Sequence, residues 1–351
     1  MSPKIGLLVR CDDRGLGNQT WEVYRHLPHD KVLVLRDPGS EKQGFPPHMD
    51  RFPGAPMTRF GRDHGGLDRK VCMEFLDGLD VVYSAETYYD WDFCSWARDA
   101  DVATVLHTNP EFYFHWNEPE VPAPSTWWSA TDWRSGNMPS NTRIVPMPIP
   151  IDRWDEPDFD RNPRKVLHVA GLAAIMDRNG TNLVRKAARS APDIEFEITT
   201  QGQVKADSAK HNEKHYWDLY DSDAPIMLIP RRFGGLCLPA LEALGAGKLV
   251  AMTDTSPNRT WPILPLTCIQ EGRKLSCQGG DVSLFQCEVG SMIRDLRRMF
   301  DEPETLVKAR RDSYAWAQRH SWDALTGLWL DELELAVESF LDSPYRGVKR
   351  G

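Results

Sequence analysis

One stretch of the chain gathers the residue types that hold an anion and a set of hydroxyl groups: Arg231-Arg232-Phe233-Gly234-Gly235-Leu236-Cys237-Leu238-Pro239-Ala240-Leu241-Glu242-Ala243-Leu244-Gly245-Ala246-Gly247-Lys248. The apolar run Ala224 to Ile229 leads in as a strand, two glycines follow, and an apolar helix spans Leu238 to Leu244 before Gly245 and Gly247 end it. Backbone N–H groups at such a helix start can hold an anion. The lone acid on the helix, Glu242, suits the hydroxyls of a ribose. The plainer alternative is a glycine-rich turn with an exposed glutamate.

Three further groups fall where chemistry is expected. Val169-Ala170-Gly171 and then Asp177-Arg178-Asn179-Gly180-Thr181 read as a strand and a polar loop before a helix from Asn182 to Ser190. Thr181 can cap that helix and turn its hydroxyl and N–H toward a phosphate. Asp12, Asp13 and the Gly15-Leu16-Gly17 loop follow the strand Ile5 to Val9. Glu86 and His107 follow the strands Val81 to Tyr83 and Val102 to Leu106. The carboxyl ends of parallel strands are where ligands bind in open α/β sheets.

The elements that must position these groups come in two runs. Ile5 to Val9, the glycine loop, a short helix from Trp21 to Leu27 and the strand Lys31 to Leu35 open a βαβ pattern. Pro38 to Gly66 reads as an excursion of loops. Ile144-Val145-Pro146-Met147-Pro148-Ile149-Pro150-Ile151-Asp152 cannot be a central strand, because proline lacks the N–H, and reads as a stiff interdomain linker. Beyond it the strand–loop–helix pattern restarts, and Val289 to Leu341 reads mainly as helices. The expected domains are 1–150 and 151–320, with a last helix in 321–351.

Composition narrows the function. The chain has 351 residues, 42 Lys plus Arg and 51 Asp plus Glu, for a formal charge of −9. That balance disfavours a general nucleic-acid coat, since phosphate-binding surfaces are basic. Residues 77 to 160 carry 16 acidic and 4 basic side chains, with Trp91, Trp96, Trp116, Trp127, Trp128 and Trp133 among them. An acidic aromatic face suits sugar rings or a protein segment; a solvated surface over an aromatic core is the alternative. Arg51, Arg59, Arg62 and Arg69 leave a basic route to DNA. Seven cysteines without a C-x-x-C pair argue against zinc and for reduced thiols in a cytoplasm, the host's if the protein is viral. The apolar runs are too short or too interrupted for a membrane span. Asp99-Ala100-Asp101 and Asp221-Ser222-Asp223 precede strands, away from ligands, so no catalytic metal is expected.

Taken together, these stretches resemble the GT-B glycosyltransferases, specifically the large retaining family 4. That family carries a Glu, seven residues, Glu pattern around E-G-F-G-L-P-x-L-E-A-x-A-x-G. Glu242 matches the second Glu, Pro239 and Gly235 fall at their family places, and Gly234 replaces the first Glu. The wording around Cys11 to Thr20 and Asp177 to Thr181 is closest to glycosyltransferases of tailed bacteriophages.

The resemblance implies an α/β fold of two Rossmann-like domains facing across a cleft, with a C-terminal helix crossing back to the first. The first domain would take the acceptor and the second a nucleoside diphosphate sugar as donor, with no cofactor. It implies that Glu242 binds ribose and that Gly234, Gly235 and Leu236 face sugar and phosphate. Arg178, Asn179, Gly180, Thr181, Arg231 and Arg232 would surround the diphosphate, Asn179 standing where the family has Lys. Gly15 and Gly17 would approach the donor phosphate. His107 would touch the donor sugar, and Asp13, with Asp12 and Glu86, would orient an acceptor hydroxyl; His107 and Asp13 are thus the catalytic candidates. Sugar transfer to a protein or small molecule leads. A phage DNA-base glycosyltransferase and a sugar-nucleotide epimerase or non-catalytic nucleotide-binding protein are the alternatives.

Overall fold

A computed structural model of the chain describes residues 2–42, 45–60, 65–109, 121–133, 138–170, 177–200, 212–213, 216–233, 235–277 and 280–343. The chain divides into two compact units, Met1–Met147 with Leu325–Gly351, and Pro148–Ala324.

The first unit contains β1 (Ile5–Arg10), α1 (Gly15–His26), β2 (Lys31–Arg36), α2 (Pro38–Lys42), β3 (Met57–Arg59), α3 (Arg69–Leu76), β4 (Val81–Ala85), α4 (Asp92–Asp99), β5 (Ala103–Thr108), β6 (Thr126–Ser129) and β7 (Thr142–Ile144). Its strands form one parallel sheet in the order β3-β2-β1-β4-β5-β6-β7. Every residue of β1, β4 and β5 is buried, which is why these strands read as continuous apolar runs rather than as alternation. Phe75 and Leu76 of α3 and Phe93 and Cys94 of α4 pack with Leu8, Leu33 and Trp127 in one core cluster.

The second unit contains β8 (Lys165–Val169), α5 (Thr181–Ser190), β9 (Glu195–Thr200), β10 (Asn212–Glu213), β11 (Ile226–Ile229), α6 (Leu238–Gly245), β12 (Leu249–Thr253), β13 (Leu264–Leu266), β14 (Cys268–Cys277), β15 (Gly280–Cys287), α7 (Val289–Asp301) and α8 (Pro303–Arg319). Its main sheet is also parallel, ordered β10-β9-β8-β11-β12-β13, and β14 and β15 make a separate antiparallel hairpin. The last helix, α9 (Trp322–Leu341), begins in this unit, and its residues from Leu325 belong to the first. There Trp329, Leu333, Ala336 and Phe340 are buried, the Trp329 indole N–H donates to the Pro146 carbonyl at 3.0 Å, and Glu332 pairs with Arg143.

The expected fold class holds: two doubly wound α/β units. Local details differ. α1 starts at Gly15 rather than Trp21, so the Gly15-Leu16-Gly17 segment is the first turn of a helix and not a loop. Helix geometry is possible there because Gly17 has no Cβ; one would overlap the Asp12 carbonyl oxygen. The stretch read as loops from Pro38 to Gly66 holds α2, a 3₁₀ turn at Met49–Arg51 and the edge strand β3. The proline-rich segment pairs at both ends: Val145 N–H donates to the Ser129 carbonyl at 2.9 Å, and Ile149 N–H to the His320 carbonyl at 2.8 Å beside a bridge to Ser321. The β14–β15 hairpin had no sequence signal, since only part of β15 faces inward, through Val282 and Leu284, while Ile269 of β14 is 70% exposed.

Candidate functional site

In each unit the chain runs outward from one central strand and then returns to that strand's other side. The sheet reverses direction between β1 and β4, and between β8 and β11. Loops at the carboxyl ends of these strand pairs form the crevice where open α/β sheets bind ligands. Non-glycine residues with left-handed backbone mark both places, Glu86 and Tyr89 after β4 and Asp177 before α5. Such conformations cost about 1–3 kcal/mol each and persist where surrounding structure imposes them.

In the second unit the two donor loops expected from sequence meet. Arg232 N–H donates to the Arg178 carbonyl at 2.9 Å, and the Arg178 guanidinium lies 4.5 Å over the Phe233 ring. Gly180 has φ +73°, and a Cβ there would collide with the Pro230 carbonyl, so the approach of the loops requires glycine. Asn179 donates to the carbonyls of Val169 and Ala170, tying its loop to the end of β8. Gly235 has φ +102°. Leu236 precedes α6, whose N-cap Cys237 makes no side-chain cap bond and whose first turn has no acid. Gly234 lies outside the described residues.

Several groups expected to face the donor are engaged elsewhere. The N-terminus of α5 already holds an anion, because the Asp177 carboxylate accepts from Thr181 N–H at 2.7 Å and Asn182 N–H at 2.9 Å. The Thr181 hydroxyl lies 2.9 Å from His168 Nε2, whose Nδ1 lies 2.7 Å from the Leu228 carbonyl. His168 is fully buried, and burial lowers its pKa to about 4, so it is neutral: Nδ1–H donates to the carbonyl and Nε2 accepts from the threonine. The Thr181 hydroxyl and N–H, expected to turn toward phosphate, are thus engaged by His168 and Asp177. Arg231 is buried and holds its own loop through the Phe233 carbonyl at 3.0 Å. Arg232 pairs with Glu271 of β14, and its carbonyl accepts from Phe285 N–H of β15 at 2.7 Å.

Glu242 sits where the motif predicts but is not open. It is 4% exposed, and its two carboxylate oxygens accept from Tyr216, at 2.7 Å, and Tyr220. Burial and the adjacent carboxylate push the Tyr220 phenol well above its ordinary range, so it stays a donor. Trp154 packs edge-on to Tyr220 and to Trp217, closing the cluster. No signal in the motif announces these phenols, which lie 22 and 26 residues before it in sequence.

In the first unit His107 lies inside β5, not beyond it, and is 3% exposed. Tyr83, Trp128 and Trp329 surround its ring. Nδ1 is 3.2 Å from the Tyr83 hydroxyl. Burial lowers its pKa to about 3, and the ring is neutral. This corrects its expected contact with a donor sugar, because an aromatic core encloses it. Trp91, Trp127 and Trp128 are likewise core residues.

Asp13 is accessible and organised. It accepts from His48 Nε2 at 2.7 Å and pairs with Arg51. Arg51 also donates to Asn18 Oδ1 at 3.2 Å, and Asn18 Nδ2 donates to the Asp13 carbonyl at 2.9 Å. Asp12 is buried against Arg10, which also pairs with Asp37 at 2.8 Å. Glu86 lies 3.4 Å from Asn109 Nδ2. His48 escaped the sequence reading because 35 residues separate it from Asp13. Gly15 opens α1, which has no side-chain cap at Arg14 and no acid in its first turn.

No protein-family model and no curated protein matches the chain. Solved structures do. A glycosyltransferase from Rickettsia africae matches with a TM-score of 0.62 at 10% identity, over 97% of this chain and 100% of that one. HepE from Anabaena in complex with UDP matches at 0.60 and 12%, over 95% and 100%. An α-glucosyltransferase in complex with UDP and a mismatched DNA 13-mer matches at 0.59 and 9%, over 95% and 100%. Similarity that spans both chains at such low identity is similarity of fold: the chain has the two-domain GT-B fold of these glycosyltransferases.

Proposed function

We propose that the protein is a hexosyltransferase that takes a nucleoside diphosphate sugar on its second unit and passes the sugar to an acceptor hydroxyl carried by the first. The observation that carries this reading is the meeting of the Arg178–Thr181 and Arg231–Leu236 loops at the β8/β11 reversal, in a chain of this fold. Proteins of the same fold are seen with UDP and with UDP-glucose. Asp177 occupies the α5 N-terminus, so the donor diphosphate is assigned to the uncapped start of α6 and the left-handed Gly235 beside it. Helix amides fixed before the reaction favour the charge that grows on the departing diphosphate. Glu242, at the place of the motif's second Glu, is the group assigned to ribose.

The acceptor is a protein or small molecule, the reaction needs no metal, and retention of anomeric configuration follows the family resemblance. Calorimetry with UDP, GDP, ADP and dTDP tests the donor site. One nucleotide should bind, and Glu242→Gln should weaken it about tenfold. No binding by any of them sinks the proposal. Turnover unchanged by a chelator and NMR of the product's anomeric proton check the other two points.

The DNA-bound neighbour supports a second reading, a transferase acting on DNA bases. Under that reading duplex DNA should bind at low salt and lose affinity steeply as salt rises. Undetectable low-salt binding rules it out.

A further inference from the structure

We infer that the β14–β15 hairpin is part of the donor site and that its Glu271 is a counter-anion for Arg232 which the donor diphosphate displaces, an inference resting on the donor placement above. All the groups concerned belong to the second unit. Arg232 precedes the left-handed Gly235 and the start of α6, where the diphosphate is assigned. Its N–H donates to the Arg178 carbonyl at 2.9 Å and its carbonyl accepts from Phe285 N–H at 2.7 Å, so its backbone is fixed between the other donor loop and β15. Thr253 of β12 braces the same place. Its hydroxyl donates to the Arg231 carbonyl at 2.6 Å and lies 3.4 Å from Cys287 Sγ at the end of β15. What is left to turn is the Arg232 side chain.

The hairpin is irregular where it meets that side chain. Between Gln270, which faces Phe285, and Lys274, which faces Ser283, β14 has three residues where β15 has one. Such irregularities re-aim side chains and are over-represented next to active sites. Here the three are Glu271, Gly272 and Arg273, and the one opposite, Leu284, is buried and pins β15. Glu271 Oε1 accepts from Arg232 Nε at 3.1 Å and from a terminal guanidinium nitrogen at 2.5 Å. Its other oxygen accepts from Arg273 at 3.2 Å. Burial works against the charge, but the two arginines hold the Glu271 carboxyl below its usual range, so it is ionised at neutral pH. The Arg232 and Glu271 side chains are 17% and 10% exposed, whereas Arg273 is 79% exposed. Glu271 thus answers Arg232 while no donor is bound, and drawing Arg232 away does not strand the carboxylate, because Arg273 keeps the second oxygen. A diphosphate carries more charge and more acceptor oxygens than one carboxylate, so it competes for the guanidinium. A nucleoside has nothing with which to compete.

The test uses whichever of UDP, GDP, ADP and dTDP binds, by calorimetry at low salt, and its nucleoside, by NMR titration. Glu271→Gln should tighten the diphosphate roughly threefold, the usual worth of a partly exposed ion pair, and leave the nucleoside unchanged. Arg232→Gln should weaken the diphosphate about tenfold, the scale of a hydrogen bond to a charged group. In the Arg232→Gln background the gain from Glu271→Gln should vanish. Should Arg232→Gln fail to fold, the split between diphosphate and nucleoside in Glu271→Gln decides alone. Diphosphate affinity that is unchanged or weaker in Glu271→Gln overturns the inference. So does a gain shared equally by the nucleoside, or one that persists without Arg232, either of which marks the pair as structural. Wild-type protein that binds none of the four nucleotides sinks the donor reading itself, a result distinct from these.

Discussion

The two units repeat one construction and finish it differently. Each has a parallel sheet that reverses beside its first strand, a helix starting just past that strand, and polar loops at the strand ends. In the second unit most polar side chains of those loops answer one another: Asp177 caps α5, Thr181 meets His168, Arg232 meets Glu271, and two tyrosines meet Glu242. In the first, Asp13 is likewise engaged, but its partner His48 keeps a ring nitrogen open. Placement at a strand end therefore does not make a group available. Buried polar groups must find partners, and in a loop-rich region the nearest partner is often another loop. In the second unit the start of α6 carries no side-chain cap, and in the first neither does the start of α1.

The sharpest way to break this comparison is at its glycines. Gly17→Ala sets a Cβ against the Asp12 carbonyl, and Gly180→Ala combines a collision at Pro230 with a left-handed backbone. Each should cost about 3 kcal/mol or more in urea unfolding, with Gly180→Ala also weakening nucleotide binding. A smaller cost at either would show that its helix start has room to move.

Glu242→Ala should cost on the order of 3 kcal/mol, because it removes the carboxylate that accepts from two buried phenols. Replacing Tyr216 and Tyr220 with Phe as well should recover part of that loss. If Glu242→Ala alone is neutral, the tyrosine cage is not what holds the carboxylate.

Acid should expose the neutral histidines. His107 and His168 have folded pKa values depressed to about 3 and about 4, below about 6.5 in the unfolded chain. Between these limits the unfolded state binds the proton and the folded state does not. Their contribution is thus complete above about pH 6.5 and declines as pH falls toward the folded values. The slope should be at most about 1.4 kcal/mol per pH unit for each histidine. His168→Gln should remove its share of that slope, measured by denaturant unfolding from pH 7 to 4.

The smallest effect is expected at Glu271→Gln. Releasing Arg232 from its carboxylate should tighten UDP binding roughly threefold at low salt, within the usual worth of a partly exposed ion pair. Calorimetry that finds no change would mean Arg232 does not face the nucleotide.

The α/β class, the restart after the proline segment and the Glu242 motif were legible because they rest on local patterns. Buried parallel strands are apolar runs, glycines mark tight approaches, and an apolar helix with one acid stands out. His107 was misread for a related reason: a histidine near the end of an apolar strand looks the same whether the next layer is solvent or, as here, Trp128 and Trp329. The hairpin of β14 and β15 was missed because few of its side chains face inward.

By itself the sequence determined where the central strands of the two parallel sheets lie and where the second unit begins, since each depends on neighbouring residues along the chain. Only the tertiary structure decided which of the polar residues in those loops remain open. That depends on partners 13 to 39 residues away in sequence, as at Thr181, Glu242, Asp13 and Arg232. The cost of leaving a buried donor or acceptor unpaired selects those partners, and it operates only once the chain has folded.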